Sequence, residues 1–393
     1  MLARMSESIH ADLGQADAAL TRPAARRVAW ADLAKGWSIL LVVIMHSTLG
    51  VGAEIGETGW LHRVVAFAKP FRMPDFFLVA GLFAAVAVDK PWRVFFDKRV
   101  LHFVYFYVLW AAIIILLKVG VETRGDVAVM LRRVLLSLWI PYSSLWFIYV
   151  LPAMFLTVRL ARRLPAWLVL AVAAAAHVLA ETAAEPTPYA MASHLTGRFA
   201  IDSYLLFVVF FLVGHYARKP IFRLAAAASA RPGAAGAGLA VWATLHAAAV
   251  VAGLTDKPGV TLAAGLAGAL AVVVASAVLA RFAWMGWLAA IGRKSLVVYL
   301  SFAIPMVITR EALIRSGLVA DVGWISAATS AFALLMPLAV ARFVAGTPLA
   351  FLYTRPQWAR LALADPAAQP RAASDDSRAA TCGASSRDAA GLG

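Results

Sequence analysis

Ten apolar runs of roughly twenty residues, separated by short charged stretches, leave this chain few ways to fold. A run of that length crosses the hydrocarbon of a bilayer as an α-helix, because a helix satisfies every backbone N–H and C=O within itself. The runs fall near 33–53, 74–89, 100–119, 143–159, 166–182, 202–217, 236–254, 260–280, 288–310 and 322–345. Composition agrees: 62% of the residues are hydrophobic and 15% charged, too little charge to clothe a soluble body of 393 residues. The fold class that follows is an all-α integral membrane protein with about ten transmembrane helices. A stretch near 126–141 differs, since Arg132 and Arg133 sit among leucines before Pro141. That pattern reads as an amphipathic helix lying in the membrane interface.

The formal net charge is +15, which by itself suggests an acidic partner such as nucleic acid. The placement of the charges argues otherwise. Lys90, Arg93, Lys98 and Arg99 gather in one loop region, Arg159, Arg162 and Arg163 in the next on the same side, then Arg218, Lys219, Arg223 and Arg231. Ten crossings with both termini cytoplasmic put most of the 36 Lys and Arg residues inside, as the positive-inside rule requires. No nucleic acid is expected; the partners are the bilayer and the substrates. Residues 1–28 are polar, of mixed charge and without a small-residue cleavage site, so they read as a cytoplasmic segment rather than a signal peptide. Residues 29–350 read as one membrane domain and 351–393 as a cytoplasmic tail, predicted disordered from about Asp365 onward. The single cysteine, Cys382, lies in that tail, so no intrachain disulfide is possible and no cysteine-rich metal site exists. The expected localisation is the cell (inner or plasma) membrane, multi-pass.

The first apolar run carries two ionisable residues, Lys35 and His46. Eleven residues of helix separate them, about 16 Å or three turns, so they lie on nearly the same face. Lys35 falls at the cytoplasmic mouth and His46 past the middle. An ionisable side chain at such a depth is costly, and it normally meets a partner or lines a wet cavity. Two readings stand for His46: an interhelical hydrogen-bonding group, or a base that takes a proton from a hydroxyl. Lys35 is either a snorkelling helix-end lysine or a cation for the phosphates of an anionic donor.

Four segments resemble the membrane acyltransferase-3 family, in that family's order over roughly residues 26–345. The run from Asp32 through Lys35-Gly36 to His46 is similar to its opening helix, a basic residue followed after ten positions by histidine. Met73-Pro74-Asp75-Phe76-Phe77-Leu78-Val79-Ala80-Gly81-Leu82-Phe83 resembles its FF-x-x-SG-F signature, with Ala80 in place of serine. Leu145-Trp146-Phe147-Ile148-Tyr149-Val150-Leu151 resembles its L-W-F-L-x-x-L helix, and Ile291-Gly292-Arg293-Lys294-Ser295-Leu296-Val297-Val298-Tyr299-Leu300 its G-x-x-S-L-x-x-Y-L segment. The resemblance implies transfer of an acyl group, often acetyl, from cytoplasmic acyl-CoA to a hydroxyl of a sugar, polysaccharide, glycolipid or related acceptor. Acyl-CoA is then a co-substrate, with no bound cofactor or metal. It implies His46 as catalytic residue, with Lys35, Lys98 and Arg99 on the donor side. Gly36 and Gly81 suit close helix approach.

Two positions depart from the family pattern. Where R-x-x-R is common, Arg99 is followed by His102, and where Y-L-x-H is common, the last residue is Phe302. Asp75 at a helix start either orients an imidazole or simply complements the helix dipole. Arg72, Trp146, Tyr149, Ser295 and Tyr299 are further candidates for the acceptor side or for support, each with an interhelical packing or hydrogen-bonding alternative. His62 and Arg63, in the first outer loop, are solvated or meet an acceptor. No Walker, Rossmann, H-E-x-x-H or G-x-S-x-G pattern is present. A transporter with a histidine proton relay is the alternative of a different class; a membrane protein that has lost activity is a third.

Overall fold

A computed structural model describes residues 28–122, 124–183 and 198–361. Among them there are helices and no strands. The expectations for the N-terminal segment and for the tail beyond Leu361 lie outside the described residues. In chain order the main elements are α1 (Ala29–Ile55), α2 (Leu61–Ala68), α3 (Arg72–Leu82), α4 (Trp92–Val119), α5 (Val127–Ser137), α6 (Ser143–Ala161) and α7 (Ala166–Thr182). They continue with α8 (Phe199–Tyr216), α9 (Arg218–Ala230), α10 (Pro232–Val251), α11 (Val260–Leu279), α12 (Gly286–Arg293), α13 (Ser295–Ser301), α14 (Ala303–Ser316) and α15 (Val322–Val344).

All ten apolar runs are helical, but they are not ten equal spans. Among the described residues, seven helices, α1, α4, α6, α8, α10, α11 and α15, are long and apolar enough to cross a membrane, and α13 with α14 makes an eighth if taken as one bent span. The run at 74–89 breaks after Leu82, leaving an 11-residue α3 and a four-residue helix, Ala85–Val88. The run at 166–182 gives a helix just under span length. The run at 288–310 divides at Lys294 and Phe302, where α13 and α14 meet at 57°. Pro305 explains the second division, since its ring has no N–H to donate and crowds the carbonyl of Ser301 four residues back.

Close helix approach organises the centre of the bundle. A Cβ on Gly36 would strike the carbonyl of Leu288, and one on Gly292 the carbonyl of Asp32, so α1 and α12 touch backbone to backbone. Gly81 and Gly214 do the same for α3 and α8, against Phe211 and Leu78. Small residues at such seams let helices gain dispersion contacts where lipid offers no hydrophobic drive. α5 is capped by Asp126, whose carboxylate accepts from Ala128 and Val129 N–H at 2.9 and 3.2 Å. Its leucines Leu131, Leu135 and Leu136 are exposed, as an amphipathic helix facing lipid would be.

The chain stays packed past residue 350, the boundary at which the tail was expected to begin. Phe351 and Leu352 carbonyls accept from Tyr105 Oη (3.0 Å) and Trp110 Nε1 (2.9 Å). Arg355 donates to the Asp97 carboxylate at 2.6 Å and to its carbonyl at 2.8 Å, and Leu361 N–H reaches the other carboxylate oxygen at 2.9 Å. Aromatic rings and one arginine supply these contacts, so the absence of an apolar period hid them.

Candidate functional site

α1 positions both leading candidates. Gly36 lets α12 close on the lower half of the helix, while Lys35 turns to the opposite neighbour. Its ammonium lies 4.6 Å from the centroid of Phe83, just past the end of α3, and 3.7 Å from Asp32. One third of the Lys35 side chain remains exposed, so it is tethered and still open. His46, eleven residues on, is half-buried, and its ring centroid lies 5.4 Å from that of Phe302. Phe302 is fully buried and stands at the joint between α13 and α14. The position where the family pattern has a second histidine therefore faces His46, and here a benzene ring fills it.

Asp75, in the first turn of α3, has no exposure to solvent. Arg72, one turn earlier and also buried, and Ser38 of α1 are the polar groups set against it. Neither carboxylate oxygen makes a hydrogen bond of normal geometry among the described residues. Ser38 hydrogen-bonds the carbonyl of Ala34 at 2.9 Å and lies two turns before His46 on α1. An acidic–basic pair thus sits beside α1 between the levels of Lys35 and His46.

The remaining candidates divide by what they touch. Tyr299 Oη donates to the Ser144 carbonyl and accepts from Phe147 N–H at 3.2 Å, a fully satisfied buried link between α13 and α6. Ser295, one turn earlier, is half-buried. Trp146 packs on Phe207 and Phe77 with centroids 5.5 and 6.0 Å away, whereas Tyr149 meets Tyr107 at 4.9 Å and donates to the Leu138 carbonyl at 3.0 Å. Among the described residues, the two rings pack on different partners. His62 and Arg63, expected in a loop, lie in the first turn of α2, where His62 accepts a hydrogen bond at Nδ1 from Gly59 N–H (3.1 Å) of the preceding connection.

On α4, Lys98 is exposed, and the Arg99 guanidinium lies 5.0 Å from the centre of Phe155 on α6. Both fall in a π-helical turn, Phe96–Leu101, a local unwinding that sequence periodicity cannot show. His102 follows, its ring against Phe103 and Phe106, with Asp97, Arg99, Arg355 and Arg360 as its charged surroundings. Arg159, read from sequence only as an orientation residue, proves to be buried at the end of α6 over Trp92 and Phe95. Among the described residues, every cation–π contact involves Lys35, Arg99, Arg159 or Arg218, all on the side assigned by charge to the cytoplasm. Two apolar surface grooves, one along α5 and one between α9, α10 and α11, touch neither Lys35 nor His46.

A family model described as an acyltransferase domain (acyltransferase-3) matches residues 28–344, which take in α1 through α15 and every sequence-derived candidate named above. No curated protein and no solved structure matches the chain.

Proposed function

The chain belongs to the acyltransferase-3 family, and from that membership we infer a membrane O-acyltransferase that moves an acyl group, acetyl in the simplest case, from cytoplasmic acyl-CoA to a hydroxyl of a sugar, surface polysaccharide or glycolipid. The observation that carries this reading is the arrangement on α1. A tethered but open cation stands at one end and a half-buried imidazole about 16 Å further along the same face. An extended CoA molecule has that shape: phosphates at one end, a long uncharged arm, and the thioester at the other.

In this reading Lys35, Lys98 and Arg99 hold the donor phosphates, and the thioester carbonyl comes to His46. The imidazole takes the proton of the acceptor hydroxyl as its oxygen attacks the carbonyl carbon. The C–S bond then breaks, the new ester leaves, and the proton passes from the imidazolium to the departing thiolate. Phe302 closes the side of the imidazole against which it packs, so His46 acts as the single histidine there. Asp75 and Arg72 of α3 are set against Ser38 of α1 between the two ends. With both termini cytoplasmic, His46 lies toward the outer leaflet, where a surface acceptor would arrive.

The test is the ester content of the cell envelope. Cells carrying the wild-type chain should show acyl esters on surface glycans or glycolipids that cells with His46→Ala lack, at equal membrane levels of the two proteins. Equal ester content in the two strains would sink the assignment.

A further inference from the structure

The seam between α4 and α6 contains two guanidinium groups that nothing in the described chain neutralises. α4 and α6 run antiparallel. Phe95 and Arg99 share one face of α4, and Phe155 and Arg159 share one face of α6, each pair four residues apart. Each arginine lies over an aromatic ring of the other helix: Arg99 over Phe155 at 5.0 Å, Arg159 over Phe95 at 5.4 Å and over Trp92 at 4.7 Å. Arg159 is only 6% exposed, and its Nε and Nη1 are sealed from solvent with no hydrogen-bond partner among the described residues. Arg99 Nε is in the same condition. The nearest acid in sequence, Asp97, is fully engaged by Arg355 and Leu361.

A buried cation with no counter-charge is costly, and ring contacts offset only part of that cost. The rings lie against both guanidinium groups, while Nε and Nη1 of Arg159 and Nε of Arg99 stay buried with no hydrogen-bond acceptor among the described residues. A guanidinium's fork of N–H donors fits two oxygens of a phosphate, and two guanidinium groups in one seam suit a diphosphate or a phosphodiester.

We propose that Arg159, together with Arg99, forms a phosphate-binding pair in the α4–α6 seam. Two sources share that chemistry: the diphosphate of an acyl-CoA donor, and the headgroup of an anionic lipid. The first rests on the acyl-transfer reading; the site itself does not. Arg159 thereby brings to this level, from a different helix, a second guanidinium beside Arg99.

The experiment uses the full chain in lipid nanodiscs. Coenzyme A and pantethine, which lacks phosphate, are titrated calorimetrically into wild type, Arg159→Gln and Arg159→Lys. In parallel, melting temperatures are compared in phosphatidylglycerol and phosphatidylcholine discs. If the donor is the source, Arg159→Gln weakens coenzyme A binding about tenfold or more and leaves pantethine unchanged, with Arg159→Lys between the two, as loss of charge-assisted donors implies. If lipid is the source, coenzyme A binding is untouched and the extra stability conferred by phosphatidylglycerol disappears. Wild-type behaviour of the variants in both arms overturns the proposal. Should Arg159→Gln fail to fold, Arg159→Lys, which keeps the charge but loses the fork, decides it by the same two readouts. Binding needs no turnover. A wild-type protein that binds coenzyme A through Arg159 yet transfers no acyl group would refute the catalytic reading and leave the phosphate site standing.

Discussion

At the scale of single residues, the account turns on how few polar groups reach the interior and on which ones meet. His46 and Lys35 were legible in the sequence, because an ionisable group in an apolar run stands out against its background. Phe302 was legible as a departure from a motif, but its place against His46 was not, because 256 positions of chain separate them and only packing joins them. Arg159 was hidden for the opposite reason: an arginine at a helix end looks like any other orientation charge. The Asp75–Arg72 pair gives a residue-scale prediction. Asp75→Asn changes the fully buried group set against Arg72 and Ser38 and should lower stability by about 1–3 kcal/mol. Arg72→Gln in the same chain should recover part of that loss, because the two buried groups face each other across one turn of α3. Thermal melting in detergent measures both; a double variant no more stable than Asp75→Asn would show that the two groups are not coupled. Phe302→Ala should cost about 3–5 kcal/mol as a large-to-small change at a fully buried site.

At the scale of elements, the helices whose boundaries sequence misjudged are the ones around the candidate site. The run 288–310 reads as one helix by hydropathy, and its division at Lys294 and Phe302 depends on backbone geometry that hydropathy does not encode. Pro305 was visible, but proline near a helix start is ordinary, so it did not announce a 57° bend. The π-turn at Phe96–Leu101 has no periodic signature at all. The segment after Gly346 carries its own prediction. Arg355 and Asp97 are both about 5% exposed, and their pairing fastens this segment to the turn that holds Lys98 and Arg99. Arg355→Ala strands the Asp97 carboxylate in a buried setting and should lower stability by about 3–5 kcal/mol. Because the same turn presents Arg99, apparent affinity for acyl-CoA should fall with it. A variant that melts like wild type would mean that this segment does not hold the helix.

At the scale of the whole molecule, the class, the helical content and the family were legible in the sequence, while only part of the expected ten crossings has span length in the structure. All ten runs are helical, and among the described residues seven have the length and apolarity of a span, or eight with the bent pair. The difference arises because apolar residues bury equally well against neighbouring helices and against lipid. Orientation is open to direct measurement through the single native cysteine, Cys382. With Cys382→Ser as background, Lys219→Cys should react with an impermeant maleimide only after the membrane is opened, and Glu57→Cys should react in intact cells. The reverse pattern would invert the sidedness proposed for donor and acceptor. The claim that joins all three scales is that His46 carries out acyl transfer from a CoA thioester. Its most direct test is the purified full chain in proteoliposomes with acetyl-labelled acetyl-CoA, following label into glycan or glycolipid hydroxyls. Wild type should transfer the label, and His46→Ala, folded and inserted to the same extent, should fall to background; undiminished transfer by His46→Ala would contradict the account.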